Sequence, residues 1–380
     1  MYYVNFQFSL NLFTKYCQLG NPIGIFLFFI LKYKEFASKG YPIKDNYEYK
    51  EKKMEYKVSV IIPVYKVEKF IERCVRSLME QKMTDVEYIF VDDASPDSSI
   101  TILRRVLTDY PDRVSHVKVL THAENKGLPA ARNTGLAVVQ GEYVFHCDSD
   151  DFVEKDLLSI LYETACRENA DIVWSDYYIS YPDNERYLKQ PSYDTPEAAL
   201  KGMLHGRMKY NVWNKLVKRS LYINHHITFP AGYAMGEDMT MMFLFSYAHK
   251  VAYVGKALYH YVSNSASMTN VFKPKHLVEL KYNSDRVLSF LEKRYHGAWR
   301  EEGYSFMLLI KWPFLTGHDS KLYPFWKEWC PEANSHIWKR KDVAWRIRFV
   351  EACAAHGQFW LVTLHDWIVL RFLYGIMYKK

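Results

Sequence analysis

The chain has 380 residues, of which 49% are hydrophobic and 24% charged, so it can bury a large core in one or two domains. Its formal net charge is +7, but residues 338–380 alone hold eight Lys/Arg against three Asp/Glu; the nearly neutral remainder argues against a nucleic-acid-binding body. The six cysteines include no C-x-x-C pair, which predicts reduced core thiols in a cytosolic protein rather than a zinc site.

Residues 1–53 are predicted to be an extension outside the folded core. Their apolar stretch, Ile23–Leu31, would span roughly 14 Å as a helix, about half of a bilayer core. No small-residue cleavage site follows it cleanly, as a signal peptide would require. Met54 shortly precedes the first predicted strand, so the segment is either a misassigned upstream start or a loosely attached extension.

Alternating strands and helices predict an α/β fold. Four apolar segments are predicted to be buried strands: Val58–Val64, Glu87–Val91, Val117–Leu120 and Tyr143–Cys147. Segments with helical spacing connect them, and a helix at Leu157–Arg167 and a strand at Ile172–Trp174 follow. This order predicts a doubly wound, mostly parallel sheet with flanking helices.

Two residues are predicted to mark helix ends. Gly141 is expected to end the helix whose first turn contains Pro129. Asp151 is expected to cap the helix that begins near Glu154.

Two acidic clusters follow predicted strands. Asp92 and Asp93 follow the second strand, and Asp148, Asp150 and Asp151 follow the fourth in the stretch H-C-D-S-D-D. Ligands of doubly wound sheets bind beyond the carboxyl ends of the strands, so both clusters should face one crevice. Carboxylates this close repel each other unless a positive charge lies among them.

The sequence lacks two common glycine-rich motifs that bind phosphate, which limits how a phosphate could be held in that crevice. No glycine occurs from Val58 to Lys126, which excludes a G-x-G-x-x-G turn in the first β-α unit, and no G-x-x-x-x-G-K-S/T occurs anywhere. A divalent cation is another way to neutralise a phosphate, because Mg²⁺ or Mn²⁺ binds one or two carboxylates together with phosphate oxygens. The sequence therefore predicts a Mn²⁺ or Mg²⁺ site at Asp148 and Asp150 that bridges a diphosphate.

Six blocks in order resemble family 2 glycosyltransferases, which have the GT-A fold. The blocks are I-I-P-V-Y (61–65), V-D-D-A-S-P-D-S-S (91–99), N-K-G-L-P-A-A-R-N-T-G (125–135), D-S-D-D (148–151), W-N-K-L (213–216) and G-E-D (236–238). The subgroup is similar to bacterial enzymes that build capsule, O-antigen or exopolysaccharide repeats. The resemblance implies a catalytic domain at 54–270, with a nucleotide-binding half (54–151) and an acceptor half (152–270).

The resemblance implies a role for each matching residue around the donor. The implied nucleotide-binding residues are Pro63, Val64, Tyr65, Asp92, Asp93, Gly127, Arg132 and Asp148. Arg132 would reach the nucleotide from the first turn of its helix. Asp150 is the implied metal ligand, with Asp148 in the ribose or metal shell. Three of these residue assignments have a purely structural alternative. Asp92 and Asp93 could form an Asx turn, Gly127 could be an ordinary turn glycine, and Arg132 could form a surface salt bridge.

The same resemblance places catalysis at the G-E-D block. A sugar hydroxyl is a weak nucleophile until a base such as a carboxylate removes its proton. Asp238 is the implied general base of an inverting displacement, and Glu237 would orient it or bind the acceptor. Helix capping is the alternative for this pair. Trp213, Asn214 and Lys215 are implied acceptor contacts, although Trp213 would suit a core equally well.

Four further observations qualify the resemblance. Position 66 is Lys where the family often has Asn, and position 94 is Ala where it often has Gly. Neither departure removes a chemical group, but both leave the preferred donor open. His260 lies where some relatives place a late metal or phosphate contact, with a core histidine as the alternative. Ser267–Thr269 resembles a loop that closes over the donor.

Residues 271–380 are predicted to form a helical, basic and aromatic C-terminal region. Its last apolar segment, Phe359–Tyr378, contains Asp366 and Arg371. Each would cost roughly 2.5–3.5 kcal/mol at the bilayer centre, which disfavours a membrane-spanning helix. One helical stripe consists of Leu361, Leu364, Ile368, Phe372 and Ile376. It suits either the surface of an anionic membrane or packing on the catalytic domain.

These observations predict a metal-dependent inverting glycosyltransferase with a nucleoside-diphosphate sugar donor, most simply UDP-linked, and a glycan or lipid-linked acceptor. The expected location is the cytoplasm, or the inner face of the plasma membrane if the last helix binds lipid. A sugar-nucleotide pyrophosphorylase would need a Gly-rich N-terminal loop, and V-S-V-I-I-P-V-Y-K provides none. A catalytically inactive relative that binds nucleotide or glycan is the non-enzymatic alternative.

Overall fold

The first part of the chain folds as a parallel sheet. In a computed structural model, which describes residues 56–264, 274–316 and 319–369, the first four strands are β1 Val58–Val64, β2 Val86–Asp92, β3 Val117–Thr121 and β4 Tyr143–His146. They pair in parallel in the order β3-β2-β1-β4. β1, β2 and β4 are buried along their whole length, as apolar residues on both faces of a strand require. The predicted strands and their parallel arrangement are confirmed.

The other half of the sheet is largely antiparallel, which the sequence did not indicate. Its strands are β5 Phe152–Val153, β6 Ile172–Ser180, β7 Glu185–Leu188, β8 Lys215–Lys218 and β9 Val251–Val262. β8 runs antiparallel to both β4 and β6 and so joins the two halves. β9 is parallel to β6, whereas β5 and β7 pair antiparallel with β9 and β6. Within the described ranges the result is one mixed nine-stranded sheet.

Helices cover both faces of this sheet. They are α1 Ile71–Met79, α2 Ser99–Leu107, α3 Pro111–Val114, α4 Leu128–Leu136, α5 Leu157–Glu168, α6 Pro196–Leu204, α7 Arg219–Asn224, α8 Thr240–Tyr247, α9 Pro274–Tyr295, α10 Arg300–Lys311, α11 Pro313–Thr316, α12 Leu322–Glu328, α13 Trp345–Ala355 and α14 Phe359–Ile368. Two 3₁₀-helices, Glu237–Met239 and Pro331–Lys339, lie between them.

Alternate residues of the central strands belong to two separate apolar cores. Val60 and Ile62 face one core with α1, α2 and α5, whereas Ile61 faces the other. The second core also contains Phe306 and Trp326 of the C-terminal helices, together with residues of α6 and α8. Burial of apolar side chains therefore holds the C-terminal helices on one face of the sheet. The domain boundaries given above stay a prediction.

Both predicted helix-end roles are wrong. α4 ends well before Gly141, which instead lies where a Cβ would approach Ser59 N to 2.6 Å, so close backbone packing requires the glycine. Asp151 does not cap α5, which begins at Leu157. Its Oδ2 instead accepts a hydrogen bond from Tyr259 and its Oδ1 accepts one from Val262 N. The acidic loop is thereby fastened to the end of β9.

Some sequence predictions fall outside the described residues. These are the 1–53 extension, the Ser267–Thr269 loop, and the end of the apolar stripe at Phe372 and Ile376. In the part of the chain that the structure does describe, no helix combines the length and apolar character needed to cross a membrane.

Candidate active site

The carboxyl ends of β1, β2 and β4 lie side by side. Val64 at the end of β1 pairs with Asp92 of β2, and its carbonyl oxygen accepts a hydrogen bond from Asp93 N at 3.0 Å. β4 ends at His146 on the other side of β1, so the loop 148–151 leaves the sheet at the same edge. The structure therefore brings the two predicted acidic clusters to one edge.

The chain just beyond β1 offers an aromatic ring to solvent. Pro63 and Val64 are buried within the strand, whereas Tyr65 is 40% exposed, with Lys66 Nζ 5.2 Å from its ring centroid. Lys66 and Ala94, the two departures from the family pattern, have left-handed backbone with φ of 56° and 55°. Asn and Gly adopt that conformation more readily, which explains why they are frequent at these positions in the family.

The Asp93 carboxylate fixes the loop before α4. Its Oδ1 accepts from Lys126 N at 2.8 Å and its Oδ2 accepts from Gly127 N at 2.8 Å. His122 Nδ1 lies 2.7 Å from Oδ1, so the carboxylate has three partners. Gly127 has φ of 86° and precedes α4, a conformation for which glycine is best suited. Asp92 Oδ1 accepts from Ser95 N, three residues on, so this carboxylate fixes the turn after β2. That Asp92 and Asp93 contact the base of the nucleotide stays a prediction.

Arg132 is the central cation of the site. It projects from the second turn of α4, not the first, and its side chain is 1% exposed, so the surface salt bridge is wrong. Its Nη2 lies 2.9 Å from Asp148 Oδ1 and 3.6 Å from Glu237 Oε1. Its Nε and Nη1 have no hydrogen-bond partner in the described structure. Both atoms are buried, so the structure does not expose them to a ligand, and the nucleotide contact of Arg132 stays a prediction.

Glu237 and Asp238 enter the same cluster from a 3₁₀ turn. Gly236 precedes it with φ of 88°, and α8 continues from it. Burial raises the pKa of Asp238 to about 6, and Asp148 adds to this, whereas Arg132 and Lys215 oppose it. Burial and the adjacent Asp238 raise the pKa of Glu237 well above its ordinary value. Asp238 Oδ1 has no hydrogen-bond partner among the described residues, so it is free to accept a proton.

The loop after β4 holds two carboxylates that face outward in part. Asp148 is tied to Arg132, whereas burial raises the pKa of Asp150 to about 6, with a further increase from Asp148. Arg73 lowers that pKa but does not compensate. A buried carboxylate whose charge is not compensated favours a bound cation.

This donor set suits Mn²⁺ or Mg²⁺. Among the described residues no three His, Cys, Asp or Glu side chains form a metal-binding group. A cation of this kind needs only one or two protein carboxylates when substrate phosphates supply other ligands. Asp150 and Asp148 are the residues that would hold it.

The predicted acceptor residues are buried. Trp213 is 5% exposed and stacks on Tyr259 and Tyr261 at centroid distances of 4.6 and 5.4 Å. Lys215 Nζ donates to two loop carbonyl oxygens and to Asn214 Oδ1 at 2.8 Å. Burial lowers the pKa of Lys215 to about 7, while Asp238 raises it. The geometry fits a core role for Trp213 and support of Asp238 by Lys215; acceptor contact stays a prediction.

His260 has the surroundings of a core histidine. Its Nδ1 lies 2.7 Å from Glu185 Oε1 and its Nε2 lies 3.0 Å from Glu154 Oε1. Its ring stacks on Phe152 with a centroid distance of 4.1 Å. Both ring nitrogens are therefore already partnered, which favours the structural alternative.

Sequence reasoning missed the residues that surround Arg132. His146 is buried beside it, and burial together with Arg132 lowers the pKa of His146 well below its ordinary value. Phe229 meets the His146 ring edge-on at 5.2 Å and lies 5.7 Å from the Arg132 guanidinium. Tyr222 Oη is 3.4 Å from His146 Nε2. His146 directly precedes the acidic loop and could have been noticed, whereas nothing local marks Tyr222 or Phe229.

The chain is similar in sequence to known glycosyltransferases. The family model described as "Glycosyl transferase family 2" matches residues 59–239. A cholesterol galactosyltransferase of Borreliella burgdorferi is 31% identical, over 62% of this chain and 68% of that protein. The glycosyltransferase GlyG of Streptococcus pneumoniae is 30% identical, over 56% of this chain and 72% of that protein. The uncharacterized glycosyltransferase EpsJ of Bacillus subtilis is 32% identical over 57% of this chain, and the match spans 64% of its length.

A solved structure supports the fold. The crystal structure of S. aureus TarS 1–349 superimposes with a TM-score of 0.59 and 20% identity, over 80% of this chain and 88% of that one. The likeness shows the GT-A fold, a mixed sheet with flanking helices. The family model ends at Met239, immediately after Asp238, and so contains both acidic clusters, Arg132 and the G-E-D block. Together with relatives at least 30% identical over more than two thirds of their length, this shows that the chain is a glycosyltransferase of family 2.

Proposed function

We propose that the protein is an inverting glycosyltransferase of cell-surface polysaccharide synthesis. It would move a sugar from a nucleoside-diphosphate sugar, with UDP as the nucleotide, to a growing glycan or lipid-linked acceptor. The supporting observation is that Asp238, with its raised pKa and unpartnered Oδ1, shares one charge cluster with Arg132 and Asp148 at the sheet edge. That cluster combines a proton acceptor with groups suited to a diphosphate.

The donor would lie across the ends of β1, β2 and β4. Tyr65 and Asp93 would contact the base, and Arg132 would bind an anionic oxygen. Mn²⁺ or Mg²⁺ held by Asp148 and Asp150 would, when bound, neutralise the diphosphate and stabilise the departing nucleotide. TarS has been solved in complex with UDP-GlcNAc, which makes UDP the first nucleotide to test here.

Transfer would proceed by a single displacement. Asp238 accepts the proton of the acceptor hydroxyl while that oxygen attacks C1 of the donor sugar. The new C1–O bond forms as the bond from C1 to the diphosphate oxygen breaks, and its electron pair leaves with the nucleoside diphosphate. Attack opposite the leaving group inverts the anomeric centre. Arg132 and Lys215 lower the pKa of Asp238 against the effect of burial, so the base is largely ionised at neutral pH.

Calorimetric titration of UDP, GDP, CMP and NAD⁺, with and without Mn²⁺, tests the donor site. We expect UDP to bind in the presence of Mn²⁺ and Asp150→Ala to remove that metal dependence, because the variant lacks the uncompensated carboxylate. Asp183→Ala, at an exposed aspartate in the turn after β6, is the matched control and should bind as the wild type does. Metal-independent binding, or no binding of any nucleotide, would contradict the proposed donor site.

The same preparation separates the proposed enzyme from its alternatives. Product analysis with UDP-sugars and glycan acceptors should detect transfer. Nucleotide binding without transfer to any acceptor would favour an inactive subunit that binds nucleotide or glycan. Release of pyrophosphate from UTP and a sugar phosphate would instead indicate a pyrophosphorylase.

The end of the described chain is suited to an anionic lipid surface. α14 buries Val362 against the protein, whereas Trp360 and Leu364 are 63% and 43% exposed. α13, which packs on α14, exposes Trp345 and the adjacent Arg346. Exposed aromatic and aliphatic side chains beside basic residues are typical of helices that lie in the membrane interface. We therefore include peripheral attachment to the inner membrane face in the proposed function.

Vesicle sedimentation tests this attachment. Replacing Trp360 and Leu364 together by Ala should weaken binding to phosphatidylglycerol vesicles at least about tenfold, since each buried apolar side chain contributes roughly 1.5–3 kcal/mol. Tyr181→Ala, at an exposed aromatic residue of the catalytic domain, should have no effect. Equal binding of the double variant and the wild type would show that α14 does not contact lipid.

A further inference from the structure

A second cavity lies outside the acidic site, between the end of α7 and the helices α8 and α9. It has a volume of about 380 Å³ and is lined in part by His225, His226, Tyr247, Arg286 and Lys293. None of these residues belongs to the six family blocks, and the proposed transfer mechanism uses none of them. The cavity is therefore distinct from the proposed catalytic site.

The charge of this cavity is positive. Arg286 and Lys293 reach it from α9 and carry the charge, whereas His225, whose pKa is lowered by burial, lines it with His226 from the turn after α7. No Asp or Glu lines it, and none of the four basic residues forms an ion pair within the described ranges. Arg286 is partly buried, yet its hydrogen bonds go only to neutral oxygens, those of Thr228 and an α8 hydroxyl. Cations that converge on a cavity without carboxylates attract an anion.

The floor of the cavity is aromatic. Phe243 and Phe290 pack with a centroid distance of 4.4 Å, and Arg286 lies 4.5 Å from the Phe243 ring. His225 stacks on Tyr247 at 3.9 Å and the Arg294 guanidinium lies 4.5 Å from the same ring, so Tyr247 is already covered. Aromatic faces bind the apolar C–H faces of sugar rings, whereas inorganic anions gain nothing from them. The combination suits a ligand with both a ring and a negative charge.

One short segment separates the cavity from the acidic site. Thr228, whose carbonyl oxygen accepts from Arg286, is followed by Phe229, which packs on His146 in the acidic site. On the other wall, Arg286 Nη1 is 3.5 Å from Oγ1 of Thr240, two residues after Asp238. The cavity thus adjoins the helix that continues from the G-E-D turn.

We propose that this cavity binds a sugar phosphate that forms part of the acceptor glycan. Arg286 and Lys293 would hold the phosphate, and the rings of Phe243 and Phe290 would hold the sugar. This inference rests on the proposed transferase function, because it assigns the cavity to the acceptor of that reaction. An acceptor held at a second point would be oriented towards Asp238, so that proximity increases the transfer rate.

Titration with glucose 6-phosphate, followed by ³¹P NMR in saturating UDP and Mg²⁺, measures the binding directly. The added nucleotide fills the donor site, so the signal reports the second cavity. We expect Lys293→Gln to weaken binding about tenfold and Arg286→Gln/Lys293→Gln to weaken it further, since each removes a charge-assisted hydrogen bond. Lys281→Gln, on the same helix but outside the cavity lining, should bind as the wild type does. Because Lys293 is exposed, its single variant should fold normally.

Three results would overturn the inference. Equal affinity of wild type and Lys293→Gln would show that the phosphate does not bind there. Inorganic phosphate binding as tightly as glucose 6-phosphate would exclude a sugar-phosphate site, as would neutral glucose binding equally well. The proposed function fails separately: if UDP does not bind but the variants still weaken glucose 6-phosphate binding, the cavity assignment stands as a site and the donor assignment falls.

Discussion

Replacing Asp238 by Asn should reduce the transfer rate by about 10²–10⁴-fold while leaving donor binding unchanged. The amide has the shape of the carboxylate but does not accept the proton of the acceptor hydroxyl. Asp238 is suited to this role because its Oδ1 has no hydrogen-bond partner in the described structure and burial raises its pKa to about 6. Sugar transfer measured by product analysis, and UDP affinity measured by calorimetry, give the two quantities to compare.

The pH dependence provides an independent test of the same base. A general base acts when deprotonated, so the rate at saturating donor should fall as the pH drops below about 6 and level off above it. The pKa of Asp150 is also about 6, but protonation there should weaken metal-dependent donor binding instead. Asp238→Asn should retain no such acidic limb in its residual rate.

A matched control uses an acidic side chain outside the site. Asp183→Asn, in an exposed turn, should keep the wild-type rate. If Asp238→Asn kept it as well, another group would have to act as the base. If UDP affinity fell together with the rate, the residue would be part of the donor site.

Replacing Arg132 by Met should destabilise the fold by about 3–5 kcal/mol. The guanidinium is 1% exposed and lies among three carboxylates, those of Asp148, Glu237 and Asp238. Without it, these groups would be buried with uncompensated negative charge, or would have to bind protons. Urea denaturation monitored by tryptophan fluorescence measures the change. The acidic limb of the pH profile should also move to higher pH, because Arg132 lowers the pKa of Asp238.

Two comparisons show whether the cause is buried charge. Arg76→Met removes an arginine from exposed ion pairs with Glu72 and Asp109 and should have a much smaller effect. Arg132→Met/Glu237→Gln removes one carboxylate together with the cation and should recover part of the lost stability. A double variant less stable than Arg132→Met alone would indicate that packing, not charge, explains the loss.

The central strands could be predicted because their signal is local. In β1 and β2, β-branched and aromatic residues fill five of the seven positions each, and both faces are buried. The later strands lack that signal: β5 has two residues and β8 has four. Their pairing with β9 and β4 depends on partners far away in the chain. The sequence therefore indicated a parallel sheet, and the antiparallel half became visible only in the fold.

The helix-end predictions failed for a related reason. Gly141 and Asp151 have residue types that commonly end and begin helices, and local reasoning assigned them accordingly. Their partners, Ser59 for the first and Tyr259 with Val262 for the second, belong to other strands of the sheet. A glycine needed for close packing and a carboxylate that ties two loops together resemble caps until those partners are known.

The sequence by itself determined the family of this protein, and the tertiary structure decided how the side chains of the candidate site are arranged. Six motifs, the absence of a phosphate-binding glycine loop and the ends of the central strands were enough to predict a family 2 glycosyltransferase with Asp93 and Asp148 near one edge and Asp238 as the base that the resemblance implies. That Arg132 is buried between carboxylates from two distant segments could be known only from the fold. Residue types and the spacing of apolar residues show which side chains are available and which elements carry them. An ion pair between two distant elements cannot be recognised from either segment alone.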